Sequence, residues 1–418
     1  MSTFLSIPAR NVMRNKRRTL VTLTSIAFGL AAVVIIEAYI SGFLSLIVDS
    51  VVKGRSGALQ VHKLGYMKNR SGNPLEFNFP LTPDLIERVR RVPGVTGVTN
   101  RVIFSGLITN GRNQTMFMAR ALDILSEGEV CPNYSGDIAP DGLALAPEDT
   151  TSVLVGEELA NSLNLRPQSQ PETALPGSSD TVTLSSASPE GQQNSLDVAI
   201  KGLVRSVAGF ESKRVLTVPR ALADQLLGLN GRVTELAIAV DDLNAVTSIK
   251  DKVALAIGQD FEVHDWREAN PFVRDILTRQ QVLLGIVSLI LFIVVAFGVT
   301  NTMLMSVYER VREIGTMMAV GVRRSQIMTI FVVEALIIAV LGSSAGFALA
   351  WVTLKMLMAF GFTLPAFGVT SGTQFEAPIS LAFVVRAIVL TCAGAALSSI
   401  YPAFKASRLD PVEALRSL

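Results

Sequence analysis

Residues Tyr308–Gln326 read YERVREIGTMMAVGVRRSQ, a charged stretch between two long apolar runs of the chain. Helical spacing separates its charged side chains from its larger apolar ones. The charged face holds Glu309, Arg310, Arg312 and Glu313, and the apolar face holds Val311, Ile314 and Met318. Glycine costs about 1 kcal/mol relative to alanine inside a helix, so Gly315 and Gly321 are expected to interrupt it. The stretch is either a short amphipathic helix held between two membrane spans or a charged loop that only fixes topology.

Four apolar stretches are each long enough to cross a bilayer, which takes about 20 helical residues. The predicted spans are 20–43, 282–307, 327–352 and 380–401. Any one of them could be a buried core helix, but four in one chain favour a membrane protein. The first follows a basic segment, as a signal peptide would, yet it is longer than the roughly 7–15 apolar residues of a cleaved leader. We therefore expect an uncleaved anchor.

The basic residues predict how the chain crosses the membrane, because Lys and Arg in short segments stay on the cytoplasmic side. They cluster in the N-terminal segment 1–19, in the loop 308–326 and in the C-terminal tail 402–418. These three segments are predicted to be cytoplasmic. The segment 44–281 and the short loop 353–379 then lie on the opposite side.

The segment 44–281 alternates like an α+β domain. Strands are predicted at 58–62, 95–98, 102–109, 116–121, 181–184, 198–204, 214–218, 236–240 and 261–263, and helices at 83–92, 156–165, 219–227 and 243–257. Asn110-Gly111 is typical of a hairpin turn. Residues 166–194 are rich in Pro, Ser, Gln and Gly and are predicted to be a loop with one short strand. The order suggests one subdomain built from both flanks and another inserted around residues 140–215.

Composition argues against several classes of function. The chain has 418 residues, 49% of them hydrophobic and 17% charged, and its net charge of +2 gives no support for nucleic-acid binding. Cys131 and Cys392 cannot make a disulfide framework, and His62 and His264 are too few for a histidine-rich metal site. The nucleotide-binding pattern G-x-x-x-x-G-K-[ST] does not occur. We expect no catalytic, cofactor or metal site within these residues.

The spans contain a few residues that are unusual in lipid. Gly342-Ser-Ser-Ala-Gly346, continued by Ala350, forms a small-residue face, and Gly342, Gly346 and Ala350 are predicted to pack on another helix. Glu37 lies deep in the first span and could mark a substrate path. We favour the simpler interpretation that it snorkels or ends the buried part of the helix. Glu334 and Arg386 lie near the ends of their spans and are interpreted in the same way.

The predicted cytoplasmic segments carry motifs that are specific in combination. Glu313-Ile-Gly315 followed by Ala319-Val-Gly321 is similar to the E-x-G-x-x-x-A-x-G signature of FtsX-type ABC permease domains, a family that includes the MacB and lipoprotein-releasing permeases. Residues 401–416 resemble its P-A-x-x-A-x-x-x-x-P-x-x-A-L-R ending, and residues 9–19 resemble its entry into the first span. The resemblance covers essentially the whole chain.

Weaker motifs in the segment 44–281 are more similar to the lipoprotein-releasing branch. They are Gly57-Ala-Leu-Gln-Val-His62 with Gly65-Tyr66, and Val263-His-Asp-Trp266. This resemblance implies an α-helical membrane protein of four transmembrane helices, with a large α+β periplasmic domain between the first two. Porter-like and sabre-like subdomains would form that domain, and the protein would lie in a bacterial inner membrane.

The resemblance also implies partners. Two permease chains, identical or different, would pair over a dimer of separate ABC ATPase subunits, which would bind the ATP and Mg²⁺. The segment 308–326 would be the coupling helix that sits in the ATPase groove. The residues implied in coupling are Glu309, Arg310, Arg312, Glu313, Gly315, Met318, Gly321, Arg323 and Arg324. Glu313→Lys or Gly321→Trp is then expected to uncouple ATP hydrolysis without unfolding the chain.

The function favoured by the resemblance is mechanotransmission that releases lipoproteins toward the outer membrane, with a lipoprotein substrate and a periplasmic carrier as partners. One alternative is MacB-like efflux of peptides or toxins. Another is FtsX-like regulation of a periplasmic hydrolase or a sensor. A receptor without a motor is a further alternative, which the coupling segment argues against because a passive receptor has no need of it.

Overall fold

The computed structural model describes residues 16–69, 73–134, 143–165, 181–204, 213–360 and 379–408. Its helices are α1 Lys16–Val51, α2 Pro83–Arg90, α3 Ile124–Val130, α4 Glu157–Ser162, α5 Arg220–Leu227, α6 Val246–Ile257, α7 Trp266–Ala269, α8 Pro271–Glu309, α9 Val311–Ala319, α10 Arg324–Ala359 and α11 Leu381–Ser407. Its strands are β1 Leu59–Lys63, β2 Phe79–Pro80, β3 Val95–Thr109, β4 Gln114–Leu122, β5 Ser152–Gly156, β6 Thr181–Ala187, β7 Gln193–Val204, β8 Val215–Pro219, β9 Arg232–Val233, β10 Glu235–Val240 and β11 Phe261–Asp265. Most of the predicted segments 1–19 and 353–379 and the tail after Arg408 lie outside the described residues.

The chain divides into two compact units. Of the described residues, the membrane unit comprises 16–44, 276–360 and 379–408, and the α+β unit comprises those between 45 and 275. Helices α1 and α8 each contribute residues to both units.

In the part of the chain that the structure describes, four helices are long and apolar enough to cross a bilayer, namely α1, α8, α10 and α11. They share an apolar core that includes Leu30, Val299 and Phe331. Large apolar side chains also remain on their outer sides, and Phe297 is 74% exposed. A surface this apolar is favourable against lipid rather than water, so the protein is a membrane protein. Each helix runs past the predicted span because hydropathy marks only the apolar part of a helix.

Two acids predicted to lie near helix ends are buried in the membrane unit. Glu37 is 5% exposed, and Ser41 Oγ donates a hydrogen bond to its Oε1 at 3.0 Å. Glu334 is 4% exposed. The expectation that these acids snorkel or end the buried part of their helices is therefore wrong, because other parts of the membrane unit cover both side chains. Arg386 is exposed, as expected, and lies 6.0 Å from the ring of Phe383.

The first half of the α+β unit is a split βαβ arrangement. Its strands lie in the order β11-β1-β10-β3 and all pair antiparallel. With α2 after β1 and α6 after β10, this is the ferredoxin-like β-α-β-β-α-β topology. Helix α2 begins where the Thr82 side chain accepts the Leu85 amide and Pro83 occupies the first turn, and it buries Leu85 and Val89.

The second half of the α+β unit is a small barrel. Strands follow the order β3-β4-β8-β5-β7-β6, and β6 also pairs with the far end of β3, so the ring closes. Gly106 permits this closure, because a Cβ there would lie 2.3 Å from the carbonyl oxygen of Ser185. Phe104 and Phe117 meet edge-to-face in the core with ring centroids 5.8 Å apart.

A single strand, β3, belongs to both halves. Its first part pairs with β10 as far as Arg101, and from Arg101 onward it pairs with β4. The sequence predicted two strands here, which is wrong because the polar residues between them continue the pairing. The insertion between β3 and β10 also begins earlier than the predicted residue 140, since β4 already belongs to it.

Besides the two-residue strands β2 and β9, two longer elements of the α+β unit were not predicted. They are β5, a run of Ser-Val-Leu-Val-Gly, and helix α3. The predicted loop 166–194 ends at Gln193, where β7 begins, and residues 166–180 lie outside the described part of the chain.

Candidate coupling site between α8 and α10

The helical path is broken at Arg310, between α8 and α9. Arg310 has φ −119° and ψ 19°, which turns its side chain into the membrane unit, where it is 6% exposed. Its Nε donates to Glu313 Oε2 at 2.9 Å, and its Nη1 donates to Glu334 Oε2 at 3.4 Å. The guanidinium also lies 5.9 Å from the ring of Phe331. Arg310 therefore joins the end of α8, helix α9 and helix α10.

Helix α9 packs its apolar side against the membrane unit. Ile314 is fully buried, and Met317, Met318 and Val322 pack against the same apolar core. Gly315 is buried within the helix and does not interrupt it, contrary to the prediction.

Gly321 ends α9 in a Schellman motif, as its predicted helix-breaking role requires. Its amide donates to the Met318 carbonyl, and the Val322 amide donates to the Met317 carbonyl. The φ of Gly321 is +96°, a conformation that residues with a Cβ rarely adopt. After this turn, the Arg323 amide donates to Gln326 Oε1 at 2.9 Å and α10 begins at Arg324.

The outer side of this segment is polar with one apolar side chain at its tip. The exposed members of the predicted set are Glu309, Arg312, Glu313, Gly321, Arg323 and Arg324. Val320, which the sequence argument passed over, is 87% exposed directly before the turn. A basic surface with a single projecting apolar side chain can bind a protein partner, since exposed apolar side chains gain most from burial at an interface.

The structure thus divides the predicted coupling residues into two groups. Arg310, Glu313, Gly315 and Met318 hold α9 against the membrane unit, although Glu313 is still 45% exposed. The prediction that Arg310 lies on the outer charged face is wrong, because the helix breaks there and the helical wheel no longer applies. Glu334 completes the inner group, and an acid within an apolar span was the signal that could have identified it.

The small-residue face of α10 packs on α1. A Cβ added at Gly346 would lie 2.6 Å from the Ala27 carbonyl oxygen, and one at Gly342 would lie 2.9 Å from Ile26 Cγ2. Ala350 is fully buried. Residues 342–346 also spell the G-x-S-x-G pattern of hydrolases, but they lie inside a helix and not on a strand-to-helix turn. This contact brings α1 against the helix that carries Glu334.

The described residues include no group of three His, Cys, Asp or Glu side chains that could hold a metal ion. The charged side chains of the inner group pair with one another, which suits a structural contact and not acid–base chemistry.

Comparisons with known proteins agree with this architecture. The family of the FtsX-like permease C-terminal region matches residues 285–411, and the MacB-like periplasmic core domain matches residues 19–255. The macrolide export ATP-binding/permease protein MacB of Nitrobacter winogradskyi is 26% identical over 96% of this chain and 58% of its own length. The MacB of Hyphomonas neptunium is 32% identical over 50% of this chain and 31% of its own length.

Among solved structures, the periplasmic region of MacB from Actinobacillus actinomycetemcomitans overlays with a TM-score of 0.34 and 12% identity, over 55% of this chain and 98% of that one. The match to the Nitrobacter relative extends over almost the whole of this chain. It covers only 58% of the relative's own length. The periplasmic core match covers more than half of the 418 residues and the permease match covers most of the remaining spans. The chain belongs to the FtsX-like permeases that carry a MacB-like periplasmic core domain.

Proposed function

We propose that this chain is the permease component of an ABC transporter and that α9 passes ATP-driven motion from a cytoplasmic ATPase to the periplasmic domain. The observation that carries the proposal is the two-sided character of α9. Arg310 and Ile314 fix its inner side to the membrane unit, while Arg312 and Val320 remain available to a partner. A helix held in this way moves with the spans when its outer side is displaced.

The ATPase is proposed to be a dimer that binds ATP and Mg²⁺, with two permease chains above it. The 418 residues contain no nucleotide-binding G-x-x-x-x-G-K-[ST], whereas the relatives that match the chain are named ATP-binding/permease proteins. The arrangement requires that the chain lies in a bacterial inner membrane with both termini and α9 in the cytoplasm. The clusters of Lys and Arg predict this orientation.

For the substrate, we propose MacB-like export in place of lipoprotein release. The relatives carry the name macrolide export. The motifs that resembled the lipoprotein-releasing branch have structural explanations in this chain. Gly57 has φ +70° and approaches the Ile238 backbone, His62 is 1% exposed, and Asp265 caps α7. A lipoprotein substrate would need an apolar cleft for its acyl chains, but the aromatic residues Phe104 and Phe117 are core residues of the barrel and do not line one.

Purification of the native complex in mild detergent tests this function. We expect a stoichiometric ATPase with a nucleotide-binding P-loop to accompany the wild-type chain, and its hydrolysis of ATP to respond to a macrolide. Val320→Glu is expected to reduce the co-purified ATPase at least tenfold, because the change places a charge at the tip without disturbing a buried contact. Arg112→Glu, an exposed residue of the β3–β4 turn, is the matched control and should retain the ATPase.

The variants suggested by the sequence are less suitable. Glu313→Lys would place a cation beside the buried Arg310, and Gly321→Trp would force a side chain into a left-handed conformation. Both would disturb α9 itself as well as its partner surface. Absence of any ATPase from a preparation that keeps other membrane complexes intact would overturn the proposal in favour of a receptor. Co-purified lipoproteins would overturn the choice of export.

A further inference from the structure

The end of α1 is not an ordinary helix terminus. After Val51 the chain makes a π-helical turn, Val52–Ser56, closed by a hydrogen bond from the Gly57 amide to the Val52 carbonyl at 3.0 Å. Gly57 has φ +70°, and a Cβ there would lie 3.1 Å from the Ile238 carbonyl oxygen. Such turns leave carbonyl groups open to partners outside the helix, and they are frequent at functional sites.

Three donors from the α+β unit bind carbonyl groups of this turn. Arg120 Nη1 donates to the Arg55 carbonyl at 2.5 Å, and the Asn133 amide donates to the Lys53 carbonyl at 3.0 Å. Cys131 Sγ lies 3.5 Å from the Val52 carbonyl. Arg120 lies on β4, and the other two follow α3, so the turn is attached to the barrel and to the helix beside it.

A buried set of charged residues lies beside these donors and binds one of them, Cys131. We name it the joint cluster, and its members are Arg101, Glu127, Glu235 and His62. Arg101 binds Glu127 with two hydrogen bonds, Nε to Oε2 at 3.0 Å and Nη2 to Oε1 at 2.6 Å. Its Nη1 donates to Glu235 Oε1 at 2.9 Å, and its Nη2 donates to Cys131 Sγ at 3.1 Å. One guanidinium therefore connects α3, β10 and the segment that holds the turn.

The Glu235 carboxylate of the joint cluster is held ionised. Burial alone would raise the pKa of Glu235, but neighbouring His62, whose Nε2 lies 3.4 Å from Oε2, and the charge of Arg101 lower it to about 2. Glu235 thus keeps its ion pair with Arg101 at physiological pH.

Burying the charges of the joint cluster has a desolvation cost that offsets much of the attraction between them. Replacing buried ion pairs with apolar side chains is often neutral or stabilising, so ion pairs of this kind add little to stability. What directional hydrogen bonds add is one defined position for the groups they join. Here the groups joined are the end of a membrane-spanning helix and the two halves of the α+β unit.

The segment that leads into α8 contacts the chain directly beside the π-helical turn. The Trp266 amide, at the start of α7, donates to the Ala58 carbonyl at 3.1 Å, directly after the π-helical turn. Asp265 caps α7 through the amides of Arg267 and Glu268, and α8 begins shortly after it at Pro271. The approach to α8 and the end of α1 are therefore fastened to each other within the α+β unit.

We propose that the π-helical turn Val52–Ser56 and the joint cluster form the mechanical joint through which α1 moves the periplasmic domain, with Arg120 as its positioning residue. The inference rests on the proposed function and adds the place where motion enters the domain. Arg120 is the clearest point to test because its side chain reaches directly to the turn, and a planar guanidinium fixes the direction of that bond.

The experiment measures ATP-driven displacement separately from ATP hydrolysis. Glu190, exposed beside the β6–β7 turn, is changed to Cys and spin-labelled in the complete complex, in a Cys392→Ser background. Distances between the labels of the two permease chains are measured by pulsed electron resonance with and without ATP, and the hydrolysis rate is measured on the same sample. The variants are Arg120→Met, Arg120→Lys and, as the matched control, the exposed Arg112→Met.

We expect Arg120→Met to retain at least half of the ATP hydrolysis and to lose at least half of the ATP-dependent distance change. Arg120→Lys, which retains a donor, should give an intermediate distance change, and Arg112→Met should match wild type. A full distance change in Arg120→Met would overturn the proposal. Equal losses of ATP hydrolysis and of the distance change would also overturn it. Arg120 would then stabilise the folded complex without a specific role in passing motion to the domain.

If Arg120→Met does not assemble, the comparison of Arg120→Lys with Arg112→Met decides, with the same two readouts. If the wild-type complex hydrolyses ATP without any distance change, the proposed mechanotransmission fails, and the joint fails with it. That outcome is distinct from loss of the distance change in the Arg120 variants alone.

Discussion

Arg310 shows how a single residue escapes prediction from sequence. Its neighbours Glu309 and Arg312 do lie on the exposed side, as helical spacing predicts, whereas Arg310 is buried. The difference depends on where α8 ends, and no local pattern fixes that position because both sides of the break favour helix. The buried Glu334 supplies the reason for the break, since an acid inside a membrane span is stabilised by a cation that can reach it.

The Arg310–Glu334 pair should show strong energetic coupling. Removing one partner of a buried ion pair costs about 3–5 kcal/mol, because the other charge is left without its counter-charge. We expect Arg310→Met and Glu334→Met each to lower the free energy of unfolding by about 3 kcal/mol, and the double variant to lose clearly less than the sum. The measurement is denaturant unfolding of the purified chain in detergent micelles.

The exposed Arg312→Met is the control for this cycle and should change the free energy of unfolding by less than about 0.5 kcal/mol. Additive effects of the two single changes would contradict the assigned ion pair.

At the scale of elements, the membrane helices followed closely from the sequence, because long apolar runs have few alternatives. The strands were harder to predict. β3 read as two strands because the polar residues Thr99, Asn100 and Arg101 separate its apolar ends. Arg101 is buried by its ion pairs, which a hydropathy pattern cannot anticipate. β5 was missed since a short apolar run has no distinctive period.

The contact between α1 and α10 allows a graded prediction. At Gly346 an added methyl group meets the backbone of Ala27, which cannot move aside, whereas at Gly342 it meets the side chain of Ile26. We expect Gly346→Ala to lower the free energy of unfolding by about 1–3 kcal/mol and Gly342→Ala to have a smaller effect. The two variants are ranked by thermal unfolding in detergent, monitored as the loss of the monodisperse species.

Gly285→Ala in α8 is the matched control, because nothing lies within 4 Å of the added Cβ. It should be neutral or slightly stabilising, since alanine is the better helix former. If Gly342→Ala proved the more damaging of the two, the close approach of α10 to the α1 backbone would be wrongly assigned.

At the scale of the whole molecule, charge and hydropathy predicted a four-helix membrane protein with one large domain outside the membrane. They also predicted the candidate coupling segment, but not the division of its residues into an inner and an outer group. That division depends on contacts between residues far apart in sequence, such as Arg310 with Glu334. The halves of the α+β unit depend on strand order, which single-sequence patterns do not encode.

The orientation of the chain is open to a direct test. In spheroplasts, Arg112→Cys should react with a membrane-impermeant maleimide, and Arg324→Cys should react only after the membrane is opened, because the basic segments remain cytoplasmic. The test uses a chain with Cys392→Ser, and the buried Cys131 keeps the background low. Labelling of Arg324→Cys in intact spheroplasts would reverse the assigned orientation.

The shared strand β3 also has a consequence for exchange between relatives. The chain leaves the ferredoxin-like half after Arg101 and returns at Thr234, and the Thr234 amide donates to the Arg101 carbonyl at 3.1 Å. The residues where the chain enters and leaves the barrel, Arg101 and Thr234, are therefore next to each other. Recombination at these two points could replace the barrel without changing the strand order of the ferredoxin-like half. Such an exchange would also replace Arg120, Cys131 and Asn133, so a substituted barrel has to bring its own hydrogen-bond donors for the turn Val52–Ser56.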